Sequence, residues 1–315
     1  MVGFWRSLFA HFIKNLLSHK TSNMYERDRI RIASSELSEL LFGNTSKYRL
    51  LLGSEKERLM GLYPDAMILD SMFEALDSRI INICPMVLCD AMLKDVSVDS
   101  PDELLAALGL TMFSISTHDD LVDELPQDRV VIAGLTYSGN IATLEGLKLL
   151  IENGYGNVVL AVLDCVNKNH YYQTKIAGTL WKAPTDEEGY LEAISHTKYW
   201  VASGLKAAIV FARREDLHPF VDEFSECYGT TCQLFDDIRE IKDDLKNGYW
   251  SLPISLAIEH GWDLGNPKHL NMAIQRSHEL AALFIRRAKT LCGSSFPNLY
   301  SLVENIERVG GSIHY

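Results

Sequence analysis

Apolar residues recur along most of the chain three and four positions apart, the spacing of helices that bury one face. The period lies nearer 3.6 than 2 over residues 80–93, 137–152, 158–177, 186–213, 217–246, 252–260, 267–292 and 297–309. Residues 23–62 mix charged and apolar positions at the same spacing, with breaks near Gly43-Asn44 and Gly53, and 66–75 adds a short helix. Ser100 as N-cap, Pro101 at the first helical position and Glu103 three residues after the cap predict the start of a helix that runs unbroken to 124. Pro184 and Pro219 stand near helix starts, while Gly154, Gly156, Gly178, Gly248 and Gly293 mark breaks. Strand signals are scarce, no repeat of solenoid period is present, and no long polar linker divides the chain. Residues 23–315 therefore read as one all-α domain of about ten helices.

Residues 1–22 read as a separate amphipathic helix. Phe4, Trp5, Leu8, Phe9, Phe12, Ile13, Leu16 and Leu17 make its apolar stripe, and Arg6, Lys14 and Lys20 are its only formal charges. The stripe is too interrupted to span a bilayer and lacks the cleavage site of a secretory signal. Three uses remain open: packing on the bundle or on a second subunit, peripheral membrane contact through residues 1–20, and a mitochondrial-type leader, since no acidic residue occurs before Glu26.

Composition narrows the function classes. With 47% hydrophobic and 23% charged residues the chain has the material for an ordinary core. Its net charge of −12 argues against nucleic acid as the main partner, which would demand a basic footprint. The six cysteines form no CxxC pair and no zinc spacing, so they read as buried thiols of a reducing, cytoplasmic compartment. There is no glycine-rich phosphate loop, no HExxH and no Ser-His-Asp ordering.

Acidic residues concentrate in two places. His118-Asp-Asp-Leu-Val-Asp-Glu124 follows the apolar run 108–117, and on a helix Asp119 and Asp123 share a face with Asp120 at its flank. Three carboxylates so close repel unless a hard cation lies between them. Mg²⁺ suits, because it takes one or two carboxylates and completes its shell with water and substrate phosphate. A second run, Gln233-Leu-Phe-Asp-Asp-Ile-Arg-Glu-Ile-Lys-Asp-Asp244, places Asp236, Glu240 and Asp243 along one helical face.

Paired aspartate-rich helices, one opened by His-Asp-Asp and the other by Gln-x-x-Asp-Asp, resemble the isoprenyl diphosphate synthases and the related class I terpene synthases. The tail Asp244-Leu-Lys-Asn-Gly-Tyr-Trp-Ser-Leu-Pro253 is similar to the segment that follows the second motif in that family. The resemblance implies the class I isoprenoid synthase bundle, with a central active-site cavity. It also implies Mg²⁺, three ions in all, held by Asp119, Asp120 and Asp123 on one wall and Asp236, Asp237 and Glu240 on the other. Of these, Asp119, Asp120, Asp123, Asp236 and Asp237 are the expected catalytic carboxylates. A linear prenyl diphosphate is the implied substrate, Arg129 and Lys198 its expected diphosphate-binding cations, and a homodimer the implied assembly.

Two departures from the family pattern bear on the reaction. Where chain-elongating members carry basic segments for a second, homoallylic diphosphate, this chain has Asp77-Ser-Arg-Ile-Ile-Asn-Ile-Cys-Pro85 and Gln127-Asp-Arg-Val-Val131, so only Arg79 and Arg129 remain as cations. Each lost charge-assisted contact costs about 1.5–3 kcal/mol. The sequence therefore favours a terpene synthase that ionises one allylic diphosphate and releases a hydrocarbon or alcohol. The alternatives are a polyprenyl diphosphate synthase of farnesyl or geranylgeranyl type and a non-catalytic regulatory subunit. Glu240 in place of the last aspartate is the second departure. Met112, Ile115, Ser116 and Phe235 are the expected pocket residues, and Ser114 and Ile115, where the family places bulky aromatics, suit a C15–C25 substrate, C20 preferred.

Overall fold

The computed structural model describes residues 39–63, 76, 80–123 and 129–311. The expected helices 1–22 and 66–75 and the cation Arg79 lie outside the described residues. Twelve α-helices have both ends described: α1 Ser46–Leu62, α2 Ile80–Asp95, α3 Asp102–Thr111, α4 Phe113–Asp123, α5 Arg129–Glu152, α6 Gly156–Gly178, α7 Glu187–Ala193, α8 His196–Phe211, α9 His218–Asn247, α10 Leu252–Glu259, α11 Pro267–Cys292 and α12 Pro297–Gly311. A 3₁₀ turn, Glu215–Leu217, precedes α9, and no strand occurs among the described residues. The chain gathers into two compact units, one of residues up to Asp164 with Ser203–Leu217, the other of Cys165–Ala202 with the chain from His218 onward.

In the first unit α2 and α3 are the centre. Every residue from Ile81 to Leu93 is buried, and so is every residue of α3 from Leu104 on, the pattern of helices that are core all round. α3 packs on α1, α2 and α5. Gly146 of α5 permits a close approach to α3, since a Cβ there would stand 2.7 Å from the Ala107 carbonyl oxygen. Gly204 of α8 likewise lies against the carbonyl of Pro85 in α2, where no Cβ fits.

The single helix expected from 103 to 124 is two. It breaks at Met112 (φ −78°, ψ −10°), and the hydroxyls around the break supply a reason. Thr143 of α5 donates to the Thr111 carbonyl at 3.1 Å, and Ser114 reaches the same oxygen at 3.4 Å, so side chains compete with the backbone for the acceptor that would continue the helix. The start is also one residue later than the cap pattern implies, with Pro101 in the cap position.

One buried polar cluster braces this unit. Asp90 accepts from the Tyr48 hydroxyl at 2.6 Å and from the Lys94 ammonium at 2.8 Å. Burial pushes the Asp90 carboxyl up, but the hydrogen bonds from Lys94, Ser100 and Tyr48 outweigh it and leave it below its ordinary value. A lowered carboxylate stabilises the fold fully above the unfolded value, about 3.9, and the contribution fades as pH falls below it. Tyr48→Phe is therefore expected to cost about 1–3 kcal/mol at neutral pH. In urea melts that deficit should shrink below pH 4; a deficit constant with pH would mean that lost packing, not the Asp90 contact, is responsible.

In the second unit α9, 30 residues long, is the central element, with residues 227–238 all buried. α10, α11 and α12 pack on it. Gly229 brings it close to the start of α8, where a Cβ would meet the Thr197 backbone at 2.8 Å, and Gly310 of α12 lies directly against the Phe235 ring. The single helix expected over 186–213 is also divided, into α7 and α8. Asp186 caps α7 by accepting from the Gly189 N–H at 2.8 Å. At the break Ser195 donates to the Glu192 carbonyl at 2.7 Å and Thr197 to the Ile194 carbonyl at 2.9 Å. All six cysteines are free and buried, and no described helix is long and apolar enough to cross a membrane.

Candidate active site

The first acidic motif closes α4. Asp119 and Asp123 fall one turn apart in the last turns of that helix, where the carbonyl ends add partial negative charge and strengthen the demand for a cation. The side chains of Asp119, Asp120 and Asp123 lie outside the described residues. The chemistry of this donor set, hard oxygens at a helix C-terminus, fits Mg²⁺. Behind the motif, Met112, Ile115 and Ser116 are all fully buried, with Phe113 beside them, and the Ser203 hydroxyl donates to Met112 Sδ at 3.4 Å. Arg129, the first residue of α5, is exposed.

The second motif is described in full and is more varied than its sequence suggests. Asp236 is buried and pairs with Arg239, Nη2 to Oδ1 2.9 Å, and the same nitrogen lies 3.9 Å from Glu240 Oε1. Burial and then the neighbouring Glu240 push the Asp236 carboxyl well up, with Arg239 opposing. Asp237 has different partners. One oxygen accepts from the Tyr190 hydroxyl of α7 and from the Leu252 N–H at the start of α10, 2.9 Å, and the other accepts from the Gln233 amide at 3.0 Å. Burial raises its carboxyl to about 6 against these three donors. Protein groups thus engage both oxygens of Asp237, and its contacts tie α9 to α7 and α10.

The acidic face continues one position later than the sequence reading had it. Asp243 is exposed, whereas Asp244 is buried, with its carboxyl pushed well up by burial and then by the Asp237 charge. The acidic series facing inward is therefore the buried Asp236 and Asp244 with the partly buried Glu240 between them, at i, i+8 and i+4. Among the described residues no group of three His, Cys, Asp or Glu side chains converges as a metal site.

The remaining expected residues are dispersed. Lys198 forms an ion pair with Glu226 at 3.2 Å. Glu226 precedes Asp236 by nearly three turns of α9, about 15 Å at 1.5 Å per residue. Phe235 is buried between Gly310 and His278, whose ring centroid is 5.9 Å away, and packs inside the second unit. Tyr172 and Tyr199 stack at 5.4 Å, with Tyr171 58% exposed beside them and the Lys175 ammonium 5.1 Å over the Tyr172 ring.

The described residues form an all-α fold with one acidic motif at the end of α4 and another inside α9. No protein-family model and no curated protein matches the sequence. Solved structures show which fold it is. The chain is similar to heptaprenyl diphosphate synthase from Staphylococcus aureus at 17% identity, covering 84% of this chain and 98% of that one with a TM-score of 0.62. Decaprenyl diphosphate synthase from Rhodobacter capsulatus is 16% identical, with 88% and 99% covered and a TM-score of 0.63. Geranylgeranyl pyrophosphate synthase from Corynebacterium glutamicum is also 16% identical, with 90% and 100% covered and a TM-score of 0.63. The chain has the isoprenyl diphosphate synthase fold.

Proposed function

We propose that this protein is an enzyme that ionises the allylic diphosphate of a linear prenyl chain. The observation that carries the reading is the presence, within this fold, of two acidic helix motifs, one at the end of α4 and one inside α9. Asp119, Asp120 and Asp123 would hold Mg²⁺ on α4, and Asp236 and Glu240 are the proposed metal ligands of α9. The bound ion supplies Lewis-acid and electrostatic stabilisation of charge developing on the departing diphosphate. The chain's own residues orient the carboxylates and exclude water. α4 fixes the spacing of the aspartates, and the buried Asp237 hydrogen bonds hold α9 in register with α7 and α10. Arg129, exposed at the head of α5, is the proposed cation for the diphosphate. Lys198 keeps that role only by leaving Glu226.

Two fates of the ionised chain are compatible with this step. Condensation with isopentenyl diphosphate is favoured by the names of the similar structures, all of them prenyl diphosphate synthases. Release as a hydrocarbon or alcohol, a terpene synthase activity, is favoured by a sequence observation: Arg79 and Arg129 are the only cations in the two segments where a second diphosphate would bind. Incubation of the purified protein with Mg²⁺ and geranyl, farnesyl or geranylgeranyl diphosphate, with and without isopentenyl diphosphate, separates them by mass spectrometry. Longer diphosphates formed only with isopentenyl diphosphate establish elongation; a hydrocarbon or alcohol formed without it establishes the terpene synthase.

A further inference from the structure

We infer that Arg239 is a resident cation of the second acidic motif, its guanidinium standing between Asp236 and Glu240 where a metal ion would otherwise bind. The inference deepens the proposed function and rests on reading that motif as a diphosphate-facing wall. Asp236 and Glu240 lie one turn apart on α9, and Arg239 Nη2 approaches both, at 2.9 and 3.9 Å. The pair with Asp236 is no ordinary surface contact between neighbours on a helix. Both side chains are only 6% exposed, and Glu240 is 15% exposed. Surface pairs of this spacing are solvated and weak, whereas a charge held this deep persists only with its partner in place.

The consequence concerns how many metal ions the site takes. Ionised together, two carboxylates one turn apart carry two negative charges, and the fixed guanidinium offsets one of them. A divalent ion approaching this wall meets less net charge and must displace or repel a planar cation that never deprotonates. Asp237 offers no substitute, because Tyr190, Gln233 and the Leu252 N–H engage both of its oxygens. The wall built on α9 therefore binds fewer divalent ions than its acidic residues suggest, and the first motif carries most of the metal.

Electron paramagnetic resonance of free Mn²⁺, titrated into the full chain with inorganic diphosphate, counts the ions directly. Arg239→Gln is expected to bind one Mn²⁺ more per chain than the wild type. Arg239→Lys should keep the wild-type count, and Asp236→Asn in the Arg239→Gln background should abolish the gain. Equal counts for folded wild type and Arg239→Gln would overturn the inference. If Arg239→Gln unfolds without metal, its melting temperature decides: recovery with Mn²⁺ beyond that of the wild type supports the inference, and no recovery overturns it. The count needs no turnover, so a wild type inert toward every allylic diphosphate would refute the proposed function while the Mn²⁺ numbers still decide the role of Arg239.

Discussion

Asp119→Ala is expected to lower Mg²⁺-dependent turnover of an allylic prenyl diphosphate by about a hundred- to a thousandfold, the usual cost of removing one preorganised electrostatic group from a reacting centre. Asp119 and Asp123 share the last turns of α4, so losing one leaves a single carboxylate of the pair at the helix end. The effect should fall on kcat, because the charge that needs compensation develops as the carbon–oxygen bond breaks. Steady-state kinetics at several Mg²⁺ concentrations check this. A variant restored fully by excess Mg²⁺ would place Asp119 in metal affinity alone, and one with unchanged kcat would remove it from the site.

Asp237→Ala is expected to act on the fold instead. It would leave the Tyr190 hydroxyl, the Gln233 amide and the Leu252 N–H without the acceptor that holds them. Each buried group left unpaired costs about 1–3 kcal/mol, so the total for the three is on the order of 3–9 kcal/mol. For a chain of this size the melting temperature should drop on the order of 10 °C. Asp237→Asn keeps an oxygen for Tyr190 and Leu252 and allows the Gln233 amide to turn, so its loss should be small. Thermal melts of the two variants, each read beside its activity, separate the roles. A stable Asp237→Ala protein without turnover would return Asp237 to the catalytic carboxylates.

The helical class was legible because amphipathic spacing is written locally, and α9, α11 and α12 begin and end within a residue or two of their sequence-based bounds. The two divided helices were not legible. At Met112 the break depends on Thr143, which reaches Thr111 from another helix, and no local pattern announces that contact. Of the candidate site, the acidic positions themselves stood out in the sequence. Their division of labour did not, because it depends on partners distant along the chain: Tyr190 and Leu252 distinguish Asp237 from Asp236. The Arg239 pairing was visible in principle, since the residue sits inside the motif at helical spacing from Asp236. Asp244 in place of Asp243 is a shift of about 100° around the helix, which the one-face reading was too coarse to resolve.

The most direct test of the account is the release of inorganic diphosphate by the purified full chain with Mg²⁺. Each allylic substrate, geranyl, farnesyl and geranylgeranyl diphosphate, would be supplied alone and with isopentenyl diphosphate, beside isopentenyl diphosphate alone. The account predicts release from at least one allylic substrate, abolished by chelation of the metal and strongly reduced by Asp119→Ala, and none from isopentenyl diphosphate alone, whose carbon cannot form an allylic cation. A folded protein that releases no diphosphate from any allylic substrate, with or without isopentenyl diphosphate, would contradict it.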